Sequence, residues 1–138
     1  MFKRILLAVD GSEHSIRSAK YAIGLTRQFE GAIDVIYVVD GKTAKEDVLH
    51  STNKLEIEQK REEKLKPIID LLDKSTMDYK TNVLHGDPGP VIVEFANERS
   101  YDCVVIGSRG LNDLQSFILG SVSHKVAKRV ECPVLIVK

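Results

Sequence analysis

The segment CVVIGSRGLNDLQSFILGSVSHKV, Cys103 to Val126, sets a strand pattern, a glycine-marked loop and a helix pattern end to end. Its first residues, Cys103–Gly107, are apolar without a break, as in a strand covered on both faces. Glycines stand at 107, 110 and 120, and Ser121 follows the last of them. Between Ser121 and Glu131, Val122, Val126 and Val130 recur at four-residue steps, the spacing of one helix face. Pro133 then stops that helix. A buried strand that leads through a glycine loop into a helix is the repeating step of an α/β fold.

The same pattern extends outward from this segment. ILLAV (Ile5–Val9), IDVIYVV (Ile33–Val39) and VLIV (Val134–Val137) are near-continuous apolar runs. YKTNVL (Tyr79–Leu84) alternates instead, which places it at a sheet edge. Helical spacing fills the gaps. From Glu13 to Phe29, Ile16, Ala19 and Ile23 share a face with Ala22, Leu25 and Phe29 beside them, Ser12 in N-cap position and Gly31 beyond the end. From Val91 to Glu98, Val91 pairs with Phe95 and Ile92 with Ala96. Pro88 or Pro90 suits the first helical position there, with Asp87 or Gly89 as cap.

The middle of the chain, Lys42 to Lys74, is charged and rich in helix formers, with an apolar stripe at Leu65, Ile68, Ile69 and Leu72. Its charges read as a solvated helix face, helped by the Glu56/Lys60 pair, or as a stripe over Lys54 to Lys66 that docks a protein partner. Pro67 is expected to kink or divide this helix, and residues 41–52 are expected to form a mobile loop. Strands and helices alternate throughout. That order predicts one α/β domain over residues 1–138 with a parallel sheet.

Composition sets limits. The 138 residues suffice for one core, with 43% apolar and 29% charged residues and a formal net charge of zero. That balance does not support a general nucleic-acid footprint. Cys103 and Cys132 show no metal or redox spacing and read as buried reduced thiols. No run has the length of a membrane span or the pattern of a secretory signal, so the expected place is the cytoplasm, with no membrane partner. His14, His50, His85 and His124 lack metal-ligand spacing.

In open α/β sheets, ligands bind beyond the carboxyl ends of strands where the strand order reverses. The loops after the first strand (VDGSEHS) and after Cys103–Gly107 are the richest in Gly, Ser and Asp. A strand order of 3-2-1-4-5 sets them side by side, but residue patterns do not fix that order. The chain has no GxxxxGK[ST], no GxGxxG after its first strand and no GxSxG. It does have Gly107-x2-Gly110-x9-Gly120-Ser121. Gly107 lets a buried strand turn, and Gly110 permits a positive φ that aims N–H groups inward as an anion nest. Gly120 and Ser121 open a helix whose free N–H groups, with the hydroxyls of Ser121 and Ser123, suit phosphates. Arg109 adds charge, or is a solvated arginine that happens to stand nearby. By local chemistry the motif reads equally as a phosphate site and as a glycine-bearing loop that ends in a serine N-cap.

Taken together, ILLAVDGSEHS, VIYVVD, HGDPGPVIVEFANE and YDCVVIGSRGLNDLQSFILGSVSHKVAKRVECPVLIVK resemble the universal stress protein family. The G-x2-G-x9-G-[ST] of its ATP-binding branch is matched in full, while residues 41–75 match only in being variable and charged. The resemblance implies a five-stranded parallel sheet in order 3-2-1-4-5 with helices on both faces, similar to the adenine nucleotide alpha hydrolase fold. It implies Asp10 near adenine or ribose, Ala8 and Val38 against the adenine, and the loop from Gly107 through Ser108, Arg109 and Gly110 to Asp113 around ribose and phosphates. Gly120, Ser121, Val122 and Ser123 receive the triphosphate on this view, with Mg²⁺ or Mn²⁺. A homodimer through Val134–Val137 follows too, and an apolar strand at a sheet edge favours pairing on physical grounds as well.

Three functions fit these residues: an ATP-binding stress-response or signalling module, a slow ATPase, and a nucleotide-free dimeric scaffold. Hydrolysis needs a positioned base, and Asp10 is the one strand-end carboxylate that the sequence places near the motif.

Overall fold

A computed structural model of the chain describes residues 1–110 and 119–138. Five strands form one parallel sheet: β1 (Arg4–Val9), β2 (Ala32–Val39), β3 (Asp78–His85), β4 (Cys103–Gly107) and β5 (Val134–Val137). Their order is β3-β2-β1-β4-β5, as the resemblance implies. Five described helices connect them: α1 (Glu13–Gln28), α2 (Gly41–Leu49), α3 (Lys54–Ser75), α4 (Pro88–Glu98) and α5 (Ser121–Arg129).

The continuous apolar runs have a simple cause. Ile5, Leu7 and Val9 of β1 point to one face, where Ala19, Ala22 and Ile23 of α1 and Leu65, Ile68 and Leu72 of α3 meet them. Leu6 and Ala8 point to the other face, where Ile92, Phe95 and Ala96 of α4 and Val126 of α5 close the second layer. With a helix layer on each side, every β1 position after Arg4 is buried. β3 has a neighbour on one side only, and it keeps the alternation expected of an edge strand.

Two expectations fail. Residues 41–52 are not one loop, because α2 occupies Gly41–Leu49. α2 buries no residue fully, so its sequence carries no apolar stripe to betray it. Its signal is the cap: the Asp40 carboxylate accepts from the Thr43 N–H at 2.7 Å. Pro67 does not divide α3, which runs unbroken from Lys54 to Ser75. Pro67 is exposed, so the helical hydrogen bond it cannot make faces water, while Leu65, Ile68 and Leu72 hold the helix to the sheet. The start of α3 is capped on both sides. Asn53 accepts from the Glu56 N–H, and the Glu56 carboxylate accepts from Thr52. Those Thr52 bonds, then Lys60, lower the Glu56 carboxyl to about 2.

Both cysteines are free thiols. Burial pushes Cys103 up to about 11 and raises Cys132, which is half-buried. No described helix is long and apolar enough to cross a membrane.

Since Pro67 withholds one backbone donor on the exposed side of a long helix, Pro67→Ala is expected to stabilise the protein by about 1–3 kcal/mol. Urea unfolding of the two proteins measures the difference, and a variant no more stable than the parent contradicts this account of α3.

Candidate functional site

α1, α2, α4 and α5 each begin at the carboxyl end of a strand, so four helix N-termini ring one end of the sheet. β1 lies between β2 and β4, and the order in which successive strands are added to the sheet reverses there. A cleft of about 250 Å³ opens at this point. Of the residues singled out from sequence, Ala8, Asp10, Val38, Gly107, Arg109, Gly110, Gly120, Ser121, Val122 and Ser123 line it. Asp113 lies outside the described residues.

Ser108 does not line the cleft. It is buried and acts as a joint. Its N–H donates to the Val137 carbonyl at 2.7 Å, which ties β4 to the end of β5. Its carbonyl accepts from the Gly120 N–H and from Ser123 Oγ, both at 2.8 Å, which ties the start of α5 to the same point. The Ser123 hydroxyl is thus occupied inside the protein, contrary to its expected role toward phosphate. The hydroxyl exposed on the first turn is that of Ser121. Gly120 is the N-cap of α5 and brings no side-chain hydrogen bond, so the first-turn N–H groups are left to other acceptors. α1 and α2 differ, because Ser12 and Asp40 cap them with side chains.

The glycines act by close approach. A Cβ on Gly107 would lie 2.7 Å from His14 Cβ on α1. A Cβ on Gly110 would collide with Oδ2 of Asp10. Gly110 does not adopt the positive φ expected of it; its need is to let the loop after β4 touch the carboxylate at the end of β1. Asp10 is fixed from its own side. Oδ1 accepts from the Ser12 N–H at 3.0 Å and from Ser15 Oγ at 2.8 Å. The Asp10 N–H donates to Ser15 Oγ at 2.9 Å.

On the β2 side of the cleft, sequence reading named only Val38. Asp40, Thr43, Tyr37 and Lys64 also line it. Asp40 is a second strand-end carboxylate, so Asp10 does not stand alone. Hydrogen bonds from Thr43, and then the nearby Lys42 charge, lower the Asp40 carboxyl. The Asp40-x-x-Thr43 cap was legible as a pattern. Lys64 was not, because nothing local separates it from the other charges of α3. His14 is buried on the first turn of α1, with Nδ1 2.9 Å from Arg17 Nη2, whereas His50, His85 and His124 are exposed.

A parallel 3-2-1-4-5 sheet with its cleft at the β1/β4 reversal defines a doubly wound α/β protein. Within that class, the chain belongs to the universal stress protein family, whose model matches residues 1–138. It is 34% identical over 143 residues to universal stress protein MJ0531 of Methanocaldococcus jannaschii, covering 100% of this chain and 83% of that one. It is 30% identical over 149 residues to universal stress protein YxiE of Bacillus subtilis, covering both chains completely, at 100% of each. Among solved structures, hypothetical protein MJ0577 superposes with a TM-score of 0.81 at 29% identity, over 100% of this chain and 96% of that one. The fold is shared with an Archaeoglobus fulgidus universal stress protein in complex with dAMP (TM-score 0.72, 23% identity, 100% of both chains). It is shared also with a universal stress protein in complex with cAMP (TM-score 0.71, 23% identity, 99% and 96%).

Ser123→Ala removes the hydroxyl that satisfies a buried carbonyl, and it is expected to cost about 1–2 kcal/mol. Denaturant unfolding checks this. A neutral substitution would mean that the Gly120 N–H alone suffices to hold α5.

Proposed function

We propose that residues 1–138 act as one domain that binds ATP in this cleft and serves as a nucleotide-dependent stress-response or signalling module in the cytoplasm. The observation that carries the reading is the N-terminus of α5. Its first-turn N–H groups lack a side-chain cap and border a cleft with an apolar floor of Ala8, Val38, Ile92 and Ile106. A helix N-terminus of this kind favours phosphate, and an apolar floor suits a heterocycle. Relatives of the same fold solved with dAMP and cAMP support an adenine nucleotide as the ligand.

On this reading, adenine lies against Ala8 and Val38, Asp10 faces the ribose, and the phosphates meet Gly110, Gly120, Ser121, Val122 and the Ser123 N–H. Arg109 adds charge at the same mouth. Mg²⁺ or Mn²⁺ fits as a passenger of the phosphates. Among the described residues no three acidic, histidine or cysteine side chains form a cage. Mg²⁺ bound to nucleotides takes most of its ligands from phosphate and water, with one or two protein oxygens such as the Ser121 hydroxyl.

Binding is favoured over rapid hydrolysis. Hydrogen bonds from Thr43 lower the Asp40 carboxyl and weaken it as a base, while Oδ1 of Asp10 is engaged by Ser12 and Ser15.

The dimer is proposed through β5, an edge strand. The carbonyls of Pro133 and Val137 point toward β4. The backbone groups of Val134 and Ile136 therefore point outward, ready to pair with a second copy.

Two measurements test these statements. With Mg-ATP at a hundred times its dissociation constant, the folded state gains about 2.7 kcal/mol. The melting temperature is expected to rise, and the rise is expected to vanish in Gly110→Val. No rise in the parent protein at millimolar ATP would return the scaffold reading to the front. Ile136→Pro removes an outward donor but no bond to β4, and it is expected to convert dimers to monomers in analytical ultracentrifugation. A parent protein that sediments as a monomer would refute the β5 interface.

A further inference from the structure

One cation of the cleft comes from a helix that the glycine motif never touches. Lys64 lies on α3, half-buried between the exposed Glu63 and the core residue Leu65. Its seat is a notch at Gly11. Gly11 has a φ of +84°, and a Cβ there would collide with Cγ and Cδ of Lys64. The residue that turns the chain out of β1 thus also admits the lysine stem. The stem lies along the backbone, as long cationic side chains do at surfaces. The ammonium reaches Tyr37, with Nζ 3.4 Å from the phenol oxygen and 5.9 Å from the ring centroid.

Place along the sheet decides what Lys64 serves. It stands with Tyr37 and Asp40 at the end of β2, whereas α5 starts beyond β4. β1 separates those strands, so the two sides of the cleft are about 10 Å apart. The α5 side offers N–H donors without a carboxylate of its own in the first turn. The β2 side carries the Asp40 carboxylate, which repels phosphate and accepts from hydroxyls and amines. An ammonium donates only. Beside the Asp40 carboxylate it completes a mixed donor and acceptor surface, which matches an uncharged nucleoside better than a polyanion.

Resting on the nucleotide reading above, we propose that Lys64 binds the nucleoside half of the ligand. Nζ donates to an acceptor atom of the base, and Tyr37 orients the ammonium. α3, whose charges sequence reading took for a solvated face, thereby becomes a wall of the site that selects among bases.

Lys64→Met keeps an apolar stem against Gly11 and removes the ammonium. Calorimetric titration of parent and variant with adenosine, and separately with tripolyphosphate, tests the assignment. Adenosine affinity is expected to fall about tenfold or more, the loss of one charge-assisted hydrogen bond, while tripolyphosphate affinity stays within about twofold. A parent that binds adenosine and a variant that binds it equally well would overturn the role of Lys64 and leave the nucleotide reading intact. An equal loss for tripolyphosphate would also overturn it, because Lys64 would then serve phosphate. A parent that binds neither adenosine nor ATP would overturn both readings.

Discussion

The peptide groups on either side of Ser108 hold the functional end of this protein together. The N–H of Ser108 reaches β5, and its carbonyl takes two donors from the start of α5. A buried carbonyl with two donors is hard to displace, because either donor lost leaves a polar group without water. Through this joint, the last two elements of the chain are fixed to the tip of β4. The α5 N-terminus therefore faces the cleft in a set position, and a ligand need not order it on binding.

The opposite end of the sheet is tied differently. Asp102 accepts from the N–H groups of Lys3 and Arg4, each at 2.9 Å. Tyr101 donates to Asp34 at 2.6 Å, and Arg4 stacks 5.0 Å from the Tyr101 ring centroid. Burial first, then the bond to Asp34, pushes the Tyr101 phenol well up, so it remains a donor at any ordinary pH. One end of the sheet is laced by side chains for rigidity. The other is built from helix starts and glycine contacts that leave polar groups facing outward. Binding at loops held by a rigid scaffold follows from that division.

Close approach, not backbone freedom, explains most of the glycine motif. Gly107 makes room for α1, and Gly110 makes room for a carboxylate. Gly11, outside the motif, needs both a positive φ and the space for Lys64. These contacts link β1, β4 and α3 across a small volume, so the cleft has walls from three separate parts of the chain. Its two sides differ in chemistry, with backbone donors at α5 and a carboxylate beside an ammonium at β2.

Much of this was legible in the residues themselves. Both-face burial makes a strand uniformly apolar, so β1, β2, β4 and β5 were visible in sequence, and the weaker alternation of β3 marked it as an edge. The glycine and serine spacing pointed to the cleft because close contacts exclude a Cβ wherever they occur. Tertiary structure alone decided the rest. α2 has no buried stripe, since it packs only lightly on the core, and local spacing had nothing to record. Pro67 did not divide α3 because its missing bond faces solvent, a matter of orientation. Ser123 turned inward because the Ser108 carbonyl, fifteen residues away, needed a donor. Lys64 joined the site because a notch at Gly11 accepted its stem. Periodicity reports how a segment meets the core, but a contact between distant segments depends on where each one ends up.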